Sequence, residues 1–389
     1  MSFLSLFMAA LLSSTSICSA EETGRLSLTD GIVVNNAQGD AKDLTKESLE
    51  YKIAEEEAIE DNEGKGFLSF LNFSFFDKKD NQAIAPKEDE TPEDFYTRVT
   101  RRANANDVNA LMTLGYMHIY GLNGAEMNYK KAYECYQKAA ELGDPIAINN
   151  LGSLYYGGVG VRKNVRKAAE LFAQASDLGN TEASLNLAVI YLKHEGGFYN
   201  DQEAAKLLKK TAEHDNPTGK YLLGYAYMKG IGVPENKKKA VENIRFAADK
   251  GYDEAQYMMG YFYKNGIGVT QNYNNSLRYL NKAVSQGNIS AIVELGRFYV
   301  AGDRIEPDYY KGYVLFNIAA YYGVANAAEA RDKLAGKALK KQAVLQAQTE
   351  SENFKPSPTQ LTKYIRQTFG KSLALYIDKN APIISVNEN

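Results

Sequence analysis

Gly219-Lys220-Tyr221-Leu222-Leu223-Gly224-Tyr225-Ala226-Tyr227-Met228-Lys229-Gly230-Ile231-Gly232-Val233 returns 36 residues later as Ala255-Gln256-Tyr257-Met258-Met259-Gly260-Tyr261-Phe262-Tyr263-Lys264-Asn265-Gly266-Ile267-Gly268-Val269. Reading outward, the same order opens at Ala110, Ala147, Ala183, Gly219, Ala255 and Ala291, with a first spacing of 37 and then 36. A large apolar residue and a small one hold the fifth and sixth positions: Leu114-Gly115, Leu151-Gly152, Leu187-Ala188, Leu223-Gly224, Met259-Gly260 and Leu295-Gly296. His118, Tyr155, Tyr191, Tyr227, Tyr263 and Tyr299 hold the ninth. Self-similarity at a fixed period of this length marks stacked supersecondary units.

The second half of each unit repeats too. Lys131-Ala132, Cys135-Tyr136 and Ala139-Ala140 match Lys239-Ala240, Asn243-Ile244 and Ala247-Ala248. Apolar residues at i, i+3, i+4 and i+7 define one helix face. Asn128, Asn164, Asn236, Asn272 and Asp308 precede these helices as N-caps, whose side chains accept a free backbone N–H. Gly143, Gly179, Gly251, Gly287 and Gly323 end them, where the chain must turn left-handed. Each unit therefore reads as two helices, called A and B below. One unit cannot bury its own apolar face, so the units must stack.

These residues resemble the Sel-1-like repeat, a relative of the tetratricopeptide repeat, over about residues 104–325. Repeats two, four and five match almost position for position. Repeat three departs, with His194-Glu195-Gly196-Gly197 in its turn. Repeat one carries Asn123-Gly124 and repeat six Asp303-Arg304 at that place. The resemblance implies an all-α fold, a right-handed α/α superhelical solenoid of helix-turn-helix units, used mostly to scaffold protein complexes and recognise peptides. Arg331 occupies the large apolar position of any seventh copy, so residues 326–348 read as a capping helix.

At 100° per residue, A-helix positions 1, 5, 8, 9 and 12 form the packed side, and positions 3, 7 and 10 point the other way. In a stacked array those are expected on the concave surface. Most are apolar or tyrosine, where a solvated face would be polar. From this stripe Tyr116, Tyr156, Leu185, Val189, Tyr221, Tyr225, Met228, Tyr257, Tyr261 and Arg297 are the candidate partner-binding residues. Contiguous apolar surface outside a core marks an interaction site. The competing reading, compatible with the first, buries the stripe against the helices of the next repeat.

The rest of the chain bounds the function. It has 389 residues, 44% apolar and 24% charged, with a net charge of −3. That balance gives no global field for nucleic acid. Residues 21–100 hold twenty acids and nine bases, so an acidic arm precedes a mildly basic remainder. No nucleophile elbow, phosphate loop or zinc-hydrolase signature occurs. His118, His194 and His214 have no metal-ligand spacing, and His118 replaces a packing tyrosine. The sequence calls for no cofactor, no metal and no enzyme activity.

Residues 1–20 read as a secretory signal, with an apolar stretch from Phe3 to Leu12 and Cys18-Ser19-Ala20 before Glu21. Cleavage there leaves Cys135 as the one cysteine, so no internal disulfide forms. Residues 21–103 read as a largely disordered arm. Its apolar island, residues 66–76, needs a cover: the array's own groove, a partner or a membrane. Residues 349–358 read as a linker, through Pro356 and Pro358. Residues 359–389 read as a helix and tail that either cap the array or dock a partner. The expected function is an exported scaffold or adaptor, periplasmic or secreted, that binds protein or peptide ligands and no nucleic acid. The alternative is an inhibitory regulatory subunit of a membrane sensor or envelope enzyme.

Overall fold

The computed structural model describes residues 90–302 and 305–369. The signal segment, the arm up to residue 89 with its island at 66–76, and the tail from 370 lie outside the described residues. Those described are all helical, without strands. They divide into two compact units, one ending at Glu235 and the other beginning at Asn236.

The first unit holds α1 (Pro92–Asn104), α2 (Val108–Tyr120), α3 (Tyr129–Glu141), α4 (Pro145–Gly157), α5 (Val165–Asp177), α6 (Thr181–Leu192), α7 (Asp201–Glu213) and α8 (Pro217–Lys229). Helix α1 corrects the reading of the arm as largely disordered up to residue 103. Thr91 accepts the Asp94 N–H at 3.1 Å, Pro92 opens the first turn, and Phe95, Val99 and Ala103 recur along one buried face. That face packs on α2 and begins the stack.

The second unit holds α9 (Lys237–Asp249), α10 (Asp253–Asn265), α11 (Tyr273–Ser285), α12 (Ile289–Ala301), α13 (Tyr309–Tyr321), α14 (Ala327–Lys337), α15 (Lys341–Glu352) and α16 (Gln360–Phe369). The expected single capping helix at 326–348 is two helices. Helix α14 stops at Ala338, and α15 runs four residues into the expected linker. Both pack on α13 through Ala327, Ala330, Leu334 and Ala347, which gives the last repeat the cover it lacks. The chain then runs back so that α16 lies on the loops flanking α10 and α11. Thr359 accepts the Thr362 N–H at 3.1 Å as its N-cap.

The repeats are built alike. A helices start on Asp107, Asp144, Asn180, Asn216 and Asn288, each accepting the N–H three residues on at 2.7–3.1 Å. Asn128, Asn164, Asn200, Asn236, Asn272 and Asp308 do the same for the B helices. The A helices are buried on nearly every side, while the B helices keep a solvated outer face. Two glycine positions set the spacing. A Cβ at the sixth A position would come within 2.7 Å of Leu280 from Gly260 and within 2.9 Å of Phe172 from Gly152. The second glycine of the Gly-x-Gly turn, at Gly232 or Gly268, has positive φ and lies against the carbonyl that begins the preceding B helix, Asp201 or Lys237. A side chain there meets both backbone strain and a steric clash.

Candidate interaction surface

Burial sorts the candidate stripe by position. In the first unit position three is enclosed throughout: Met112, Asn149, Leu185 and Tyr221 are all buried. Position ten is enclosed at Ile119, Tyr156 and Met228. At position seven Ser153 and Val189 are buried, while Tyr116 and Tyr225 are half-exposed. In the second unit Tyr257 is buried, while Tyr261, Lys264, Val293, Arg297 and Val300 are half-exposed. Of the ten candidates, then, Tyr156, Leu185, Val189, Tyr221, Met228 and Tyr257 are enclosed by their own unit. Tyr116, Tyr225, Tyr261 and Arg297 meet solvent.

Successive A helices touch along this stripe, which is why it closes. Asn186 of α6 donates to Asn149 Oδ1 of α4 at 3.0 Å, inside the first unit. Asn149 donates to Asn150 Oδ1 at 3.2 Å, and the Ser153 hydroxyl donates to the Asn149 carbonyl. These polar side chains are fully buried, and pairing offsets their desolvation. In the second unit Lys264 of α10 reaches Glu294 of α12 at 2.8 Å, and Arg297 lies 3.6 Å from the same carboxylate.

The solvent-facing part of the first unit is aromatic with a charged border. The Tyr116 and Tyr120 rings lie 4.7 Å apart, tilted. Burial pushes the phenols of Tyr116, Tyr120 and Tyr225 up, so they stay neutral near pH 7 and can donate or accept a hydrogen bond. Lys193 is pulled down to about 8 by burial, partly opposed by Glu195, and burial lowers Lys163 as well. Tyr120, Lys163, Lys193 and Glu195 are not among the ten candidates. The displaced turn at 194–197 was the available signal, since it puts Glu195 where repeats two, four and five carry Gly-x-Gly.

Other candidate chemistries resolve into structure. His118 Nδ1 is 3.0 Å from the Glu126 carbonyl, and its ring meets Tyr96 edge-on, as befits a packing residue in a tyrosine position. Burial pushes the Cys135 thiol up to about 11, which keeps it protonated and a poor nucleophile. Among the described residues no group of three His, Cys, Asp or Glu side chains is placed to hold a metal ion. No described helix is long and apolar enough to cross a membrane.

A family model and the first of two solved structures agree with this architecture. A Sel1 repeat protein from Oxalobacter formigenes, solved by crystallography, is 27% identical with a TM-score of 0.53, over 59% of this chain and 94% of that one. The crystal structure of a protective antigen present in uropathogenic Escherichia coli strains, displaying an SLR fold, is also 27% identical. Its TM-score is 0.48, over 72% of this chain and 65% of that one. No curated protein matches the chain. The family model described as Sel1 repeat matches six consecutive copies at 108–144, 145–180, 181–216, 217–252, 253–288 and 289–323, more than half of the chain. These copies coincide with the helix pairs α2–α3 to α12–α13, and on that ground the chain belongs to the Sel1 repeat family.

Proposed function

We propose that the protein is an exported, non-enzymatic scaffold or adaptor, periplasmic or secreted, that binds polypeptide segments over the solvent-facing positions of its A helices. Sel1 repeat solenoids commonly serve protein–protein interaction. The observation that carries the reading for this chain is the row at position seven. Tyr116 and Tyr225 in the first unit stay half-exposed while Met112, Ile119, Tyr221 and Met228 on the same helices are enclosed, and in the second unit Tyr261 and Arg297 are half-exposed together with Lys264, Val293 and Val300. Tyrosine and arginine are the side chains most enriched where binding energy concentrates.

The partner is identified by crosslinking mass spectrometry on the envelope fraction. Its affinity is then measured for Tyr116→Ser/Tyr225→Ser and for Tyr261→Ser/Arg297→Ala. A loss of about tenfold or more, roughly 1.4 kcal/mol, is expected from at least one pair with helicity unchanged. Unchanged affinity in both would remove the A-helix face from the account. Deletion of residues 66–76 raises affinity if that segment competes for the face. Export is tested by sequencing the native N-terminus: a start near Glu21 supports it, and intact Met1 in the cytoplasm sinks it.

A further inference from the structure

One A helix lacks its own cap. Asp107, Asp144, Asn180, Asn216 and Asn288 cap five of the six, but the sixth, α10, follows Tyr252, whose side chain makes no cap hydrogen bond. A different N–H of its first turn, that of Asp253, donates to Thr362 Oγ1 of α16 at 3.1 Å, fully buried. The acceptor comes from 109 residues away in sequence.

Around that bond the loop edge offers mainly acceptors, and the C-terminal segment brings the donors. Ser357 N–H donates to the Ser285 carbonyl at 2.8 Å, and the Thr359 hydroxyl to the Gly251 carbonyl at 2.9 Å. Gln286 Oε1 accepts both the Thr359 N–H at 2.9 Å and the Thr362 hydroxyl at 2.8 Å. Arg366 donates to Asp253 Oδ2 at 2.8 Å. The Asp253 carboxylate is almost fully buried next to Glu254, and Asn288 donates to both acids. An edge of carbonyls and buried acids fits a ligand that is rich in donors and carries a cation. The start of a helix is such a ligand, because its first N–H groups have no partner of their own.

The acceptor set belongs to this rung alone within its unit and has no counterpart in the first unit. Leu142, Leu178 and His214 stand in the place of Gln286, and Pro145, Thr181 and Pro217 in the place of Asp253. The segment that fills the edge is also lightly held. Of its described apolar side chains Ile365 alone is buried, and Tyr364 is 38% exposed. A ten-residue helix of this kind is marginal without its contacts. A tether a few residues long supplies an effective concentration on the order of millimolar, which keeps such a weak ligand seated and leaves it displaceable.

We propose that the edge formed by Gly251, Asp253, Gln286 and the uncapped start of α10 is a second polypeptide-recognition site, separate from the A-helix face. Its ligand is a partner helix that begins Thr-x-x-Thr and carries Arg four residues further on. Residues 353–369 occupy the site in cis, and the partner displaces them.

The test uses the full chain and a fluorescein-labelled peptide of residues 353–369, read by anisotropy. Thr362→Val/Arg366→Ala in the chain frees the site, and this variant is expected to bind the peptide at least tenfold more tightly than the unaltered chain. Adding Asp253→Asn/Gln286→Ala to it should return binding to the unaltered level. A freed variant that keeps its helicity and binds no better than the unaltered chain overturns the proposal. Hydrogen exchange gives a second reading that needs no variant: excess peptide should speed exchange at residues 360–366 of the unaltered chain and not at 341–352. Unchanged exchange there contradicts displacement. Concentration-dependent dimers of the unaltered chain that disappear in Thr362→Val/Arg366→Ala would make the occupant a second copy and overturn the partner assignment.

Discussion

The loops that lead from a B helix to the next A helix are built alike in the two units and finished differently. In the first unit Gly143 and Gly179 turn with positive φ, a Cβ added to either would meet nothing within 4 Å, and Leu142 and Leu178 beside them are about half exposed. In the second unit Gly251 and Gly287 make the same turn, but Thr359 and Pro356 lie on them. The backbone is common to both edges, so the repeat alone does not decide which edge is covered. Three departures from the repeat decide it: Tyr252 where the other A helices carry a cap, Asp253 at the helix start, and Gln286 where the first unit has Leu142, Leu178 and His214. In a repeat protein the residues that obey the pattern build the array, and those that break it show where the array meets something else.

Of four perturbations, three act at the covered edge and one inside the stack. The largest involves Glu254, which burial and the neighbouring Asp253 push up to about 8, opposed by Asn288 and Arg366. Unfolded, this carboxyl ionises near 4.5; folded, it keeps its proton to about pH 8. The native state therefore binds the extra proton within that window, and stability falls as pH rises through it. The loss is on the order of a few kcal/mol, and Glu254→Gln should flatten that part of the urea-unfolding profile. An equally steep slope in the variant would place the titration elsewhere.

Close packing comes next. Gly260→Leu drives a side chain into Leu280 and should cost roughly 1–3 kcal/mol or more in a thermal melt. A melt like that of the unaltered chain would refute close approach of α10 and α11.

Gly287→Ala and Gly143→Ala then compare the edges directly. Both place a Cβ at positive φ, about 1–2 kcal/mol. Only Gly287→Ala also meets Pro356, at 2.7 Å, so it should destabilise more. Equal costs would mean that the C-terminal segment does not press on the second edge.

The smallest effect is expected from Thr362→Val, which removes the acceptor for the Asp253 N–H. Because residues 353–369 can lift and let water in, the loss should stay near the lower end of the 1–3 kcal/mol of a buried unpaired group. Exchange protection should fall at Asp253 while Thr181, at the same place in the first unit, is unaffected.

The array was legible in the sequence because its period repeats the same physical solution six times. Caps such as Asn164 and Asn272, glycines such as Gly152 and Gly260, and the left-handed helix ends fell where the pattern put them. The first helix was harder to see, since Phe95, Val99 and Ala103 lie beside an acidic run and outside the repeat. The interaction face was only partly legible. Helical periodicity shows which way Tyr221 or Leu185 points on its own helix, but not how closely the next A helix approaches. Only the stacked structure shows that Tyr225 meets solvent while Tyr221 does not. The docking of α16 depends on contacts more than 70 residues apart, which a local pattern does not carry, although Tyr252 broke the cap rule in plain view.

The central claim is that the half-exposed A-helix positions bind a polypeptide, and site-specific photocrosslinking tests it most directly. A photoreactive phenylalanine analogue is placed at Tyr225 or Tyr261, and in separate chains at Leu178, which is exposed on the loop edge. The first two positions should give an adduct with one polypeptide, identified by mass spectrometry, and Leu178 should give none. Adducts from Leu178 with none from Tyr225 or Tyr261 would contradict it.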